Sequence, residues 1–225
     1  MLLILNCIIN DQARNHFESY VVPSTIGRVT DYEFAYLIDS VVHFNHKPYT
    51  HLLITGSELS AAEDNEYDEI LYHIIEQFLY KAKPILGICY GHQMLAKYLG
   101  REGCVVRSKT PEIGWKALEF EPVEIFSGMK NLITLHSHLD EVVDPGKDFE
   151  IIASTDDCAC QAFRYLDSPV WGTQFHPEYV YEDGQISMNN LFNERPDLKQ
   201  YHINQLDDPK QLDQNIRIFE YFLGV

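Results

Sequence analysis

The sequence predicts an α/β protein with a mixed, mainly parallel sheet that carries helices on both faces. Short apolar runs alternate with segments of helical periodicity, which is the pattern of a parallel sheet covered on both sides. The chain has 225 residues, of which 45% are hydrophobic, and this length suits one large domain over residues 1–225. No internal repeat, low-complexity tract or linker divides the sequence.

The predicted strands form two groups that differ in their connections. Strands of the first group alternate with helices, at 2–9, 41–45, 51–55, 84–88 and 103–107. Strands of the second group follow one another through short turns, at 114–120, 131–136, 149–154, 158–165 and 170–175. The clearest helix covers Asp64 to Ala82, because it has an apolar stripe, acidic residues in its first turn and a proline after its end. A final amphipathic helix is predicted over 210–223.

The balance of charges excludes several classes of partner. Seventeen basic residues against 34 acidic ones give a net charge of −17. Nucleic acids and anionic membranes are therefore poor candidates, because phosphate contacts require clustered Lys and Arg. The apolar start, Met1 to Ile9, lacks a basic region and a cleavage site and is too short to cross a bilayer, so it predicts a buried strand.

The cysteines indicate a reducing compartment. They stand at positions 7, 89, 104, 158 and 160, an odd number without the spacing of a disulfide framework. This use of cysteine predicts a cytoplasmic protein. Cys158 and Cys160 invite a metal assignment, but nothing nearby completes a tetrahedral set, and packing in the core is the simpler interpretation. We expect neither a structural metal nor an organic cofactor.

The most informative motif is Gly-Ile-Cys-Tyr-Gly-His-Gln at 87–93, between an apolar run and a segment of helical periodicity. This order is typical of a nucleophile elbow, a sharp turn that lifts the side chain of Cys89 clear of the sheet. Helix amides and the positive end of the helix dipole would then face the sulfur and favour a thiolate. The alternative is a buried cysteine beside a glycine turn.

A second motif, Gln-Phe-His-Pro-Glu at 174–178, follows a predicted strand. His176 and Glu178 should project from the same side of that strand, because side chains alternate along it. A carboxylate two residues from an imidazole can hold the ring in position and stabilise its charged form, while the imidazole takes the thiol proton. Alone, the tripeptide His-Pro-Glu at 176–178 could be part of an ordinary loop. Together with the motif around Cys89, it predicts a catalytic triad.

These two motifs resemble those of class I glutamine amidotransferases, a family whose Cys-His-Glu triad hydrolyses the side-chain amide of glutamine. Residues 52–57 are similar to the strand and turn of the family's oxyanion loop, and residues 135–142 to its S-H-G-D-x-V segment. The similarity extends from the first strand to about Glu178. Within the family the chain looks most similar to stand-alone members related to the amidotransferase half of GMP synthase, and residues 111–115 support this likeness. The resemblance implies a flavodoxin-like fold.

The resemblance also implies roles for individual residues. Cys89 would attack the substrate, His176 would move the proton and Glu178 would orient His176. The backbone groups expected to bind the oxyanion are those of Tyr90, Gly56 and Ser57. The residues expected to contact glutamine or another γ-glutamyl compound are Gln93, Ser137 and His138.

Two departures from the family pattern bear on the substrate rather than on the reacting groups. The turn at 55–58 reads Thr-Gly-Ser-Glu, where the family often has Ser-Gly-Gly-Pro. Ser57 can supply the same backbone N–H unless the turn requires a positive φ. Leu139 replaces the glycine of S-H-G-D, which could narrow the pocket.

Three functions remain open at this point. The chain could release ammonia from glutamine for a separate synthetase, since no S-G-G-x-D-S signature of an ATP pyrophosphatase follows before Val225. It could instead hydrolyse γ-glutamyl bonds without a partner, or act as a non-catalytic regulatory domain, although an intact triad argues against the last. The polar segment at 179–209 either borders the cleft and shapes the choice of acceptor or partner, or is a surface excursion packed for stability.

Overall fold

The computed structural model describes residues 1–39, 49–166 and 168–225, and the strand predicted at 41–45 lies outside them. The α-helices are α1 (Asp11–His16), α2 (Val22–Ser24), α3 (Asp68–Tyr80), α4 (Tyr90–Leu99), α5 (Tyr181–Glu194) and α6 (Ile216–Leu223). The strands are β1 (Leu2–Asn6), β2 (Tyr32–Tyr36), β3 (His51–Ile54), β4 (Ile85–Ile88), β5 (Val105–Ala117), β6 (Glu119–Phe120), β7 (Ile133–Val142), β8 (Phe149–Ser154), β9 (Ala162–Tyr165), β10 (Val170–Thr173) and β11 (His202–Asn204).

Within these ranges, the main sheet has the strand order β2-β1-β3-β4-β10-β9-β8-β6. Its strands β2, β1, β3, β4 and β10 are parallel, whereas β9, β8 and β6 are antiparallel. The order of the parallel strands is the flavodoxin-like one. Ile54 pairs with Gly87, and Gly87 with Gly172, so β3, β4 and β10 end at the same edge. Ligands bind at this edge in open α/β sheets.

Helices cover both faces of the main sheet, as predicted, because the residues of its inner strands are apolar on both sides. In β1, Leu3 and Leu5 belong to the same core cluster as α3 and α4. Leu2 and Ile4 belong to the opposite cluster, which contains α6 and the helical turns after α1. The predicted α/β class with helices on both faces is confirmed.

A small sheet, with the order β11-β5-β7 among the described residues, packs beside the main one. Trp115 of β5, Leu135 of β7 and Met188 of α5 form its core. The helix approaches closely because a Cβ on Gly184 would lie 2.5 Å from Cζ2 of Trp115. The small sheet thereby fixes α5 at the side of the cleft described below.

Several predicted boundaries are wrong, mostly where tertiary pairing overrides the local pattern. The strands expected at 103–107 and 114–120 are one long strand, β5, whose pairing with β7 shifts between Arg107 and Glu112. This irregularity surrounds Pro111, which cannot donate a ladder hydrogen bond. Strand β2 was not predicted, since it pairs only with β1 at the sheet edge and its side chains are half-buried.

The C-terminal part also differs from expectation. The segment at 179–209 contains α5, a 3₁₀-helix at Pro196–Tyr201 and strand β11. The helix expected over 210–223 begins as a 3₁₀-helix, Pro209–Asn215, and becomes α-helical in α6. The helix expected at 64–82 is shorter at both ends. In the described ranges, no helix is long and apolar enough to cross a membrane.

Candidate active site

Cys89 occupies the sharp turn between β4 and α4. Its backbone has φ 51° and ψ −101°, a region that non-glycine residues rarely adopt and that is often found at functional sites. A hydrogen bond helps to keep the backbone in this conformation, because the Cys89 N–H donates to the carbonyl of Thr173 at 2.7 Å. Gly91 cannot carry a side chain, because a Cβ there would lie 2.4 Å from the carbonyl oxygen of Ile54. The turn has the form of a nucleophile elbow.

His176 and Glu178 lie beyond the end of β10 rather than on the strand itself. The His176 N–H donates to the carbonyl of Leu135 at 2.8 Å, which ties this segment to β7. The Nδ1 atom of His176 is 2.8 Å from Oε1 of Glu178, and the imidazole is close enough to Cys89 to interact with its side chain electrostatically. The three residues predicted as a triad therefore form one connected group.

The surroundings of His176 favour the charged form of its imidazole. Burial alone would lower the pKa of His176, but the negative charges of Glu178 and Cys89 outweigh burial and raise that pKa to about 10. A cation next to a cysteine sulfur is the setting in which a thiolate is stabilised. The group is thus prepared for nucleophilic attack.

The predicted oxyanion turn lies directly against the triad. A Cβ on Gly56 would lie 3.0 Å from Cε1 of His176 and 3.6 Å from Cβ of Cys89. Ser57 does not adopt a positive φ, so serine is compatible with this turn. Tyr90 is the first residue of α4, and the N–H groups of a first helical turn have no acceptor within the helix. The roles of these backbone groups in binding an oxyanion stay predictions.

Two buried glutamines connect the cleft to the sulfur. Gln93 Nε2 donates to the carbonyl of Asp140 at 2.9 Å and to Oε1 of Gln174 at 3.0 Å. Gln174 Nε2 in turn donates to Sγ of Cys89 at 3.7 Å. Sequence reasoning missed Gln174. Its place two residues before His176 was visible, but the contact with Cys89 depends on how β10 packs beside the elbow.

Cys89 separates two cavities, which share the residues Ser57, Glu58, Cys89 and Ser137. The large cavity, of about 330 Å³, has both polar and apolar walls: Ser57, Glu58, Leu59, Ser60, Cys89, Gln93, Arg107, Ile113, Ser137, His138, Leu139, Asp140, Leu191, Glu194 and Arg195. The small cavity, of about 140 Å³, is bounded by Ile8, Ala13, Phe17, Gly56, Ser57, Glu58, Cys89, Leu135, Ser137, His176, Glu178, Tyr179 and Ser187.

The predicted substrate residues Gln93, Ser137 and His138 all line the large cavity. Both ring nitrogens of His138 already face protein acceptors, with Nδ1 3.1 Å from the Asp140 carbonyl and Nε2 3.0 Å from Oε2 of Glu112. A substrate would therefore meet this part of β7 mainly through its backbone. The roles of these three residues stay predictions.

The end of α5 forms another wall of the large cavity, through Leu191, Glu194 and Arg195. The same helix packs on the small sheet through Met188. Both interpretations of the segment at 179–209 therefore have structural support, since it borders the cleft and also covers a core. Its influence on acceptor or partner choice stays a prediction.

A buried carboxylate, Glu112, gathers the polar groups behind the large cavity. Its Oε1 accepts hydrogen bonds from Thr155 Oγ1 at 2.7 Å and from Lys116 Nζ. Its Oε2 accepts one from Gln161 Nε2 and contacts His138. Burial opposes the charge of Glu112, but hydrogen bonds from the neighbouring histidines outweigh burial and lower its pKa.

Glu112, His136 and His138 bring possible ligand atoms within 4.8 Å of one another. The two carboxylate oxygens already accept hydrogen bonds from protein donors, and the Lys116 ammonium contacts the same carboxylate. A second cation would be repelled there. The expectation that the protein needs no structural metal stays a prediction.

The remaining cysteines differ from Cys89 in their surroundings. All five lie in the described part of the chain, where each is buried and unpaired. Burial raises the pKa of Cys7 and of Cys158 to about 12, and burial also raises the pKa of Cys104 and Cys160. These four thiols are consequently poor nucleophiles.

Comparison with known proteins agrees with this geometry. The family model described as glutamine amidotransferase class-I matches residues 28–194. One subunit of the glutamine-hydrolyzing GMP synthase of Pyrococcus abyssi is 38% identical over 111 residues, which are 48% of this chain and 58% of that protein. The chain thus matches little more than half the length of this relative.

Solved structures support the fold. A glutamine amidotransferase from Thermotoga maritima superimposes with a TM-score of 0.72 at 22% identity, and one from Methylobacillus flagellatus with a TM-score of 0.74 at 18% identity. In both cases 99% of this chain and 94% of the other are covered. Since the family model matches most of the sequence and the elbow, triad and sheet order agree with it, the chain belongs to the class I glutamine amidotransferase family.

Proposed function

We propose that the protein hydrolyses the side-chain amide of glutamine through a γ-glutamyl thioester on Cys89, and that the ammonia serves an acceptor on a separate chain. The observation that carries this proposal is the connected group at the sheet edge. Cys89 stands on a strained elbow, the imidazole of His176 lies beside it at the same cavity, and Glu178 holds the imidazole at 2.8 Å. This arrangement is that of an activated nucleophile with a base and an orienting carboxylate.

The first chemical step is attack on the amide. The thiol proton has passed to His176, and the Cys89 sulfur forms a bond to the side-chain carbonyl carbon of glutamine. Charge develops on the carbonyl oxygen, where the backbone N–H groups of Tyr90 and of the Gly56–Ser57 turn stabilise it. Such preorganised donors act mainly on the transition state.

The second step releases ammonia and the third restores the enzyme. His176 donates its proton to the departing nitrogen as the carbon–nitrogen bond breaks, and the γ-glutamyl group remains on Cys89. A water molecule, deprotonated by His176, then attacks the thioester and releases glutamate. Glu178 keeps the ring oriented throughout and stabilises its charged form.

The partner is proposed from likeness. The Pyrococcus relative is named as one subunit of a glutamine-hydrolyzing GMP synthase, and such a name implies further chains that use the ammonia. By analogy, we propose a synthetase on a separate polypeptide as the ammonia consumer for this chain. A second candidate, a γ-glutamyl hydrolase that needs no partner, uses the same triad and is favoured by the space beside His176.

Glutamate release from glutamine by the purified chain tests the proposal directly. We expect turnover that increases when a synthetase that accepts the ammonia is added. Absence of glutamate release both alone and with candidate synthetases would contradict the proposal and leave a non-catalytic domain. Rapid release from γ-glutamyl peptides, with none from glutamine, would support the second candidate instead.

Replacing Gly56 with alanine should lower kcat/KM for glutamine about 100-fold. The new Cβ would lie 3.0 Å from Cε1 of His176, so the imidazole or the turn must give way slightly, and loss of one oxyanion donor typically costs about 10²–10³ in rate. The matched control is Gly103→Ala, where no atom lies within 4 Å of the new Cβ although φ is +75°. That control should lose some thermal stability but keep its kcat/KM. Equal activity of Gly56→Ala and wild type would show that the turn lies farther from the reacting atoms.

Replacing Gln174 with methionine changes the volume of the side chain little and should lower kcat/KM for glutamine about 10- to 100-fold. The Gln174 amide donates to the sulfur at 3.7 Å, and a hydrogen bond to a charged group contributes about 1.5–3 kcal/mol. Gln77→Met on α3 is the control, because its amide contacts only His73 among the described hydrogen bonds. The rate of Cys89 alkylation by iodoacetamide should fall together with kcat/KM. An unchanged alkylation rate would argue against the contact.

A further inference from the structure

The buried carboxylate of Glu112 links the small sheet to the main one. In the antiparallel register of β5 and β7, Glu112 is paired with His138, so the two side chains lie on the same face of the small sheet. Thr155 and Gln161, which donate hydrogen bonds to the carboxylate, belong to the connection from β8 to β9 in the main sheet. Glu112 therefore holds β7 in place relative to the main sheet.

His138 extends this link to the backbone of β7. Its Nε2 is 3.0 Å from Oε2 of Glu112, and its Nδ1 is 3.1 Å from the carbonyl oxygen of Asp140. The side chain of His138 is fully buried, so water cannot replace either contact. Because both ring nitrogens are used within the protein, the ring is fixed between Glu112 and the Asp140 carbonyl.

The carbonyl of Asp140 is also the start of the path to the nucleophile. Gln93 Nε2 donates to this carbonyl at 2.9 Å and to Oε1 of Gln174 at 3.0 Å. Gln174 Nε2 donates to Sγ of Cys89 at 3.7 Å. Both glutamines are buried. An unbroken series of contacts therefore runs from Glu112 to the sulfur.

The order of donors and acceptors in this series fixes the orientation of both amides. The two hydrogens of Gln93 Nε2 point to the Asp140 carbonyl and to Oε1 of Gln174. Because Oε1 of Gln174 accepts that hydrogen bond, its nitrogen is the atom that faces the Cys89 sulfur. If the Asp140 carbonyl moved, the Gln93 amide could turn, and the sulfur would lose its donor.

We propose that Glu112 is a positioning residue: by holding β7 through His138, it keeps the amide donor directed at the Cys89 sulfur. This inference rests on the proposed function of Cys89 as the nucleophile. Glu112 lines neither of the cavities that meet at Cys89, so it does not act on a substrate directly. In this proposal the ring of His138 serves the link to Glu112 rather than contact with the substrate.

Glu112→Gln keeps the volume of the side chain and replaces one acceptor oxygen with an amide donor. The ammonium of Lys116, which donates to Oε1, cannot accept a hydrogen bond, so the new nitrogen should face His138 instead. We expect the rate of Cys89 alkylation by iodoacetamide, measured on the full chain without substrate, to fall about tenfold, because a buried network loses more than one contact when a member is changed. An unchanged alkylation rate would overturn the inference.

Steady-state kinetics separate positioning from substrate binding. In Glu112→Gln, kcat for glutamine should fall by about the same factor as the alkylation rate, with KM within about twofold of wild type. A raised KM with an unchanged kcat would show that this part of β7 binds the substrate, and the positioning role would be refuted.

Asp68→Asn is the matched control. Asp68 is another buried carboxylate that accepts a hydrogen bond from a lysine, Lys97 Nζ at 2.9 Å, and it lies outside both cavities. This variant should lower Tm but keep the wild-type alkylation rate and kcat. If it slowed alkylation as much as Glu112→Gln, the effect would be one of general stability and the inference would fall.

His138→Asn tests the same link if Glu112→Gln does not fold. The asparagine amide places a donor near the position of Nδ1, within reach of the Asp140 carbonyl, but it is too short to reach Glu112. We expect the same loss of about tenfold in the alkylation rate and in kcat, with little change in KM. Wild-type alkylation in His138→Asn would overturn the inference.

A double-mutant cycle tests the route through Gln174. If Glu112 acts through this amide, adding Glu112→Gln to Gln174→Met should change the alkylation rate by less than about twofold. Effects that multiply would mean that the two residues act independently, which would overturn the inference. His138→Asn replaces Glu112→Gln in the cycle if the latter does not fold.

The positioning role and the proposed function fail separately, because alkylation needs no substrate. If wild type hydrolyses glutamine and Glu112→Gln is alkylated as fast as wild type, the proposed function stands and the positioning role does not. If Glu112→Gln is alkylated about tenfold more slowly and wild type releases no glutamate from glutamine, the positioning role stands and the proposed function does not.

Discussion

Replacing Cys89 with alanine is expected to lower glutamine turnover by about 10⁴-fold or more. The sulfur is the group that forms the thioester, and loss of a nucleophile removes the whole covalent route rather than one contribution to it. Any residual rate would come from the oxyanion groups and from binding alone. Glutamate release at saturating glutamine, measured with equal masses of variant and wild-type protein, checks the expectation.

The other cysteines provide a control variant and a test of which thiol reacts. Cys104→Ala should keep full turnover, because burial raises the pKa of that thiol and it lies outside both cavities. A γ-glutamyl diazo-ketone should attach to Cys89 alone when the protein is mapped by mass spectrometry. Label on Cys7, Cys158 or Cys160, or full activity in Cys89→Ala, would refute the mechanism.

Replacing Glu178 with glutamine is expected to lower kcat by about 10²- to 10⁴-fold while KM changes little. The amide cannot stabilise the imidazolium and can hold the ring in the wrong tautomer, which is costly in related triads. Glu178 is buried and 2.8 Å from Nδ1 of His176, so water cannot replace it easily. Glu182→Gln, on the exposed side of α5, is the matched control and should behave as wild type.

The Glu178→Gln substitution should also change how the free energy of unfolding depends on pH. The folded-state pKa of His176 is raised to about 10, above its ordinary value of about 6.5. The stability from this group is therefore complete below pH 6.5 and is lost as the pH rises through about 10. Glu178→Gln removes an important cause of the raised pKa and should reduce that dependence. Urea unfolding at several pH values measures it, and identical pH profiles for the two proteins would contradict the pairing.

Much of the site could be inferred from local sequence. The elbow at Cys89 was predictable because a strand, two glycines and a helix impose it within seven residues. His176 and Glu178 were predicted on one face of a strand, yet they lie after β10 in a bend tied to Leu135. The structure thus brings together the residues that the motifs singled out, whereas their geometry depends on β7, a strand that is distant in sequence. Their catalytic roles stay predictions.

Other parts of the molecule were not inferable in this way. Helix α5 was not predicted, because its sequence is polar and its apolar residues make sense only against the small sheet. The contact between Gln174 and Cys89 joins residues 85 positions apart, and the hydrogen bond from Thr155 to Glu112 joins residues 43 positions apart. No periodic pattern in the sequence predicts such pairs of contacting residues.

The sequence by itself determined the α/β class and the two motifs of the candidate site, because periodicity and turn chemistry act within short stretches of chain. Only the tertiary structure decided that two cavities meet at Cys89, since their walls come from α1, β7 and α5 together with the turns that follow β1 and β3. The reacting groups are thus encoded locally. The cavities around them are formed by elements that are distant in sequence.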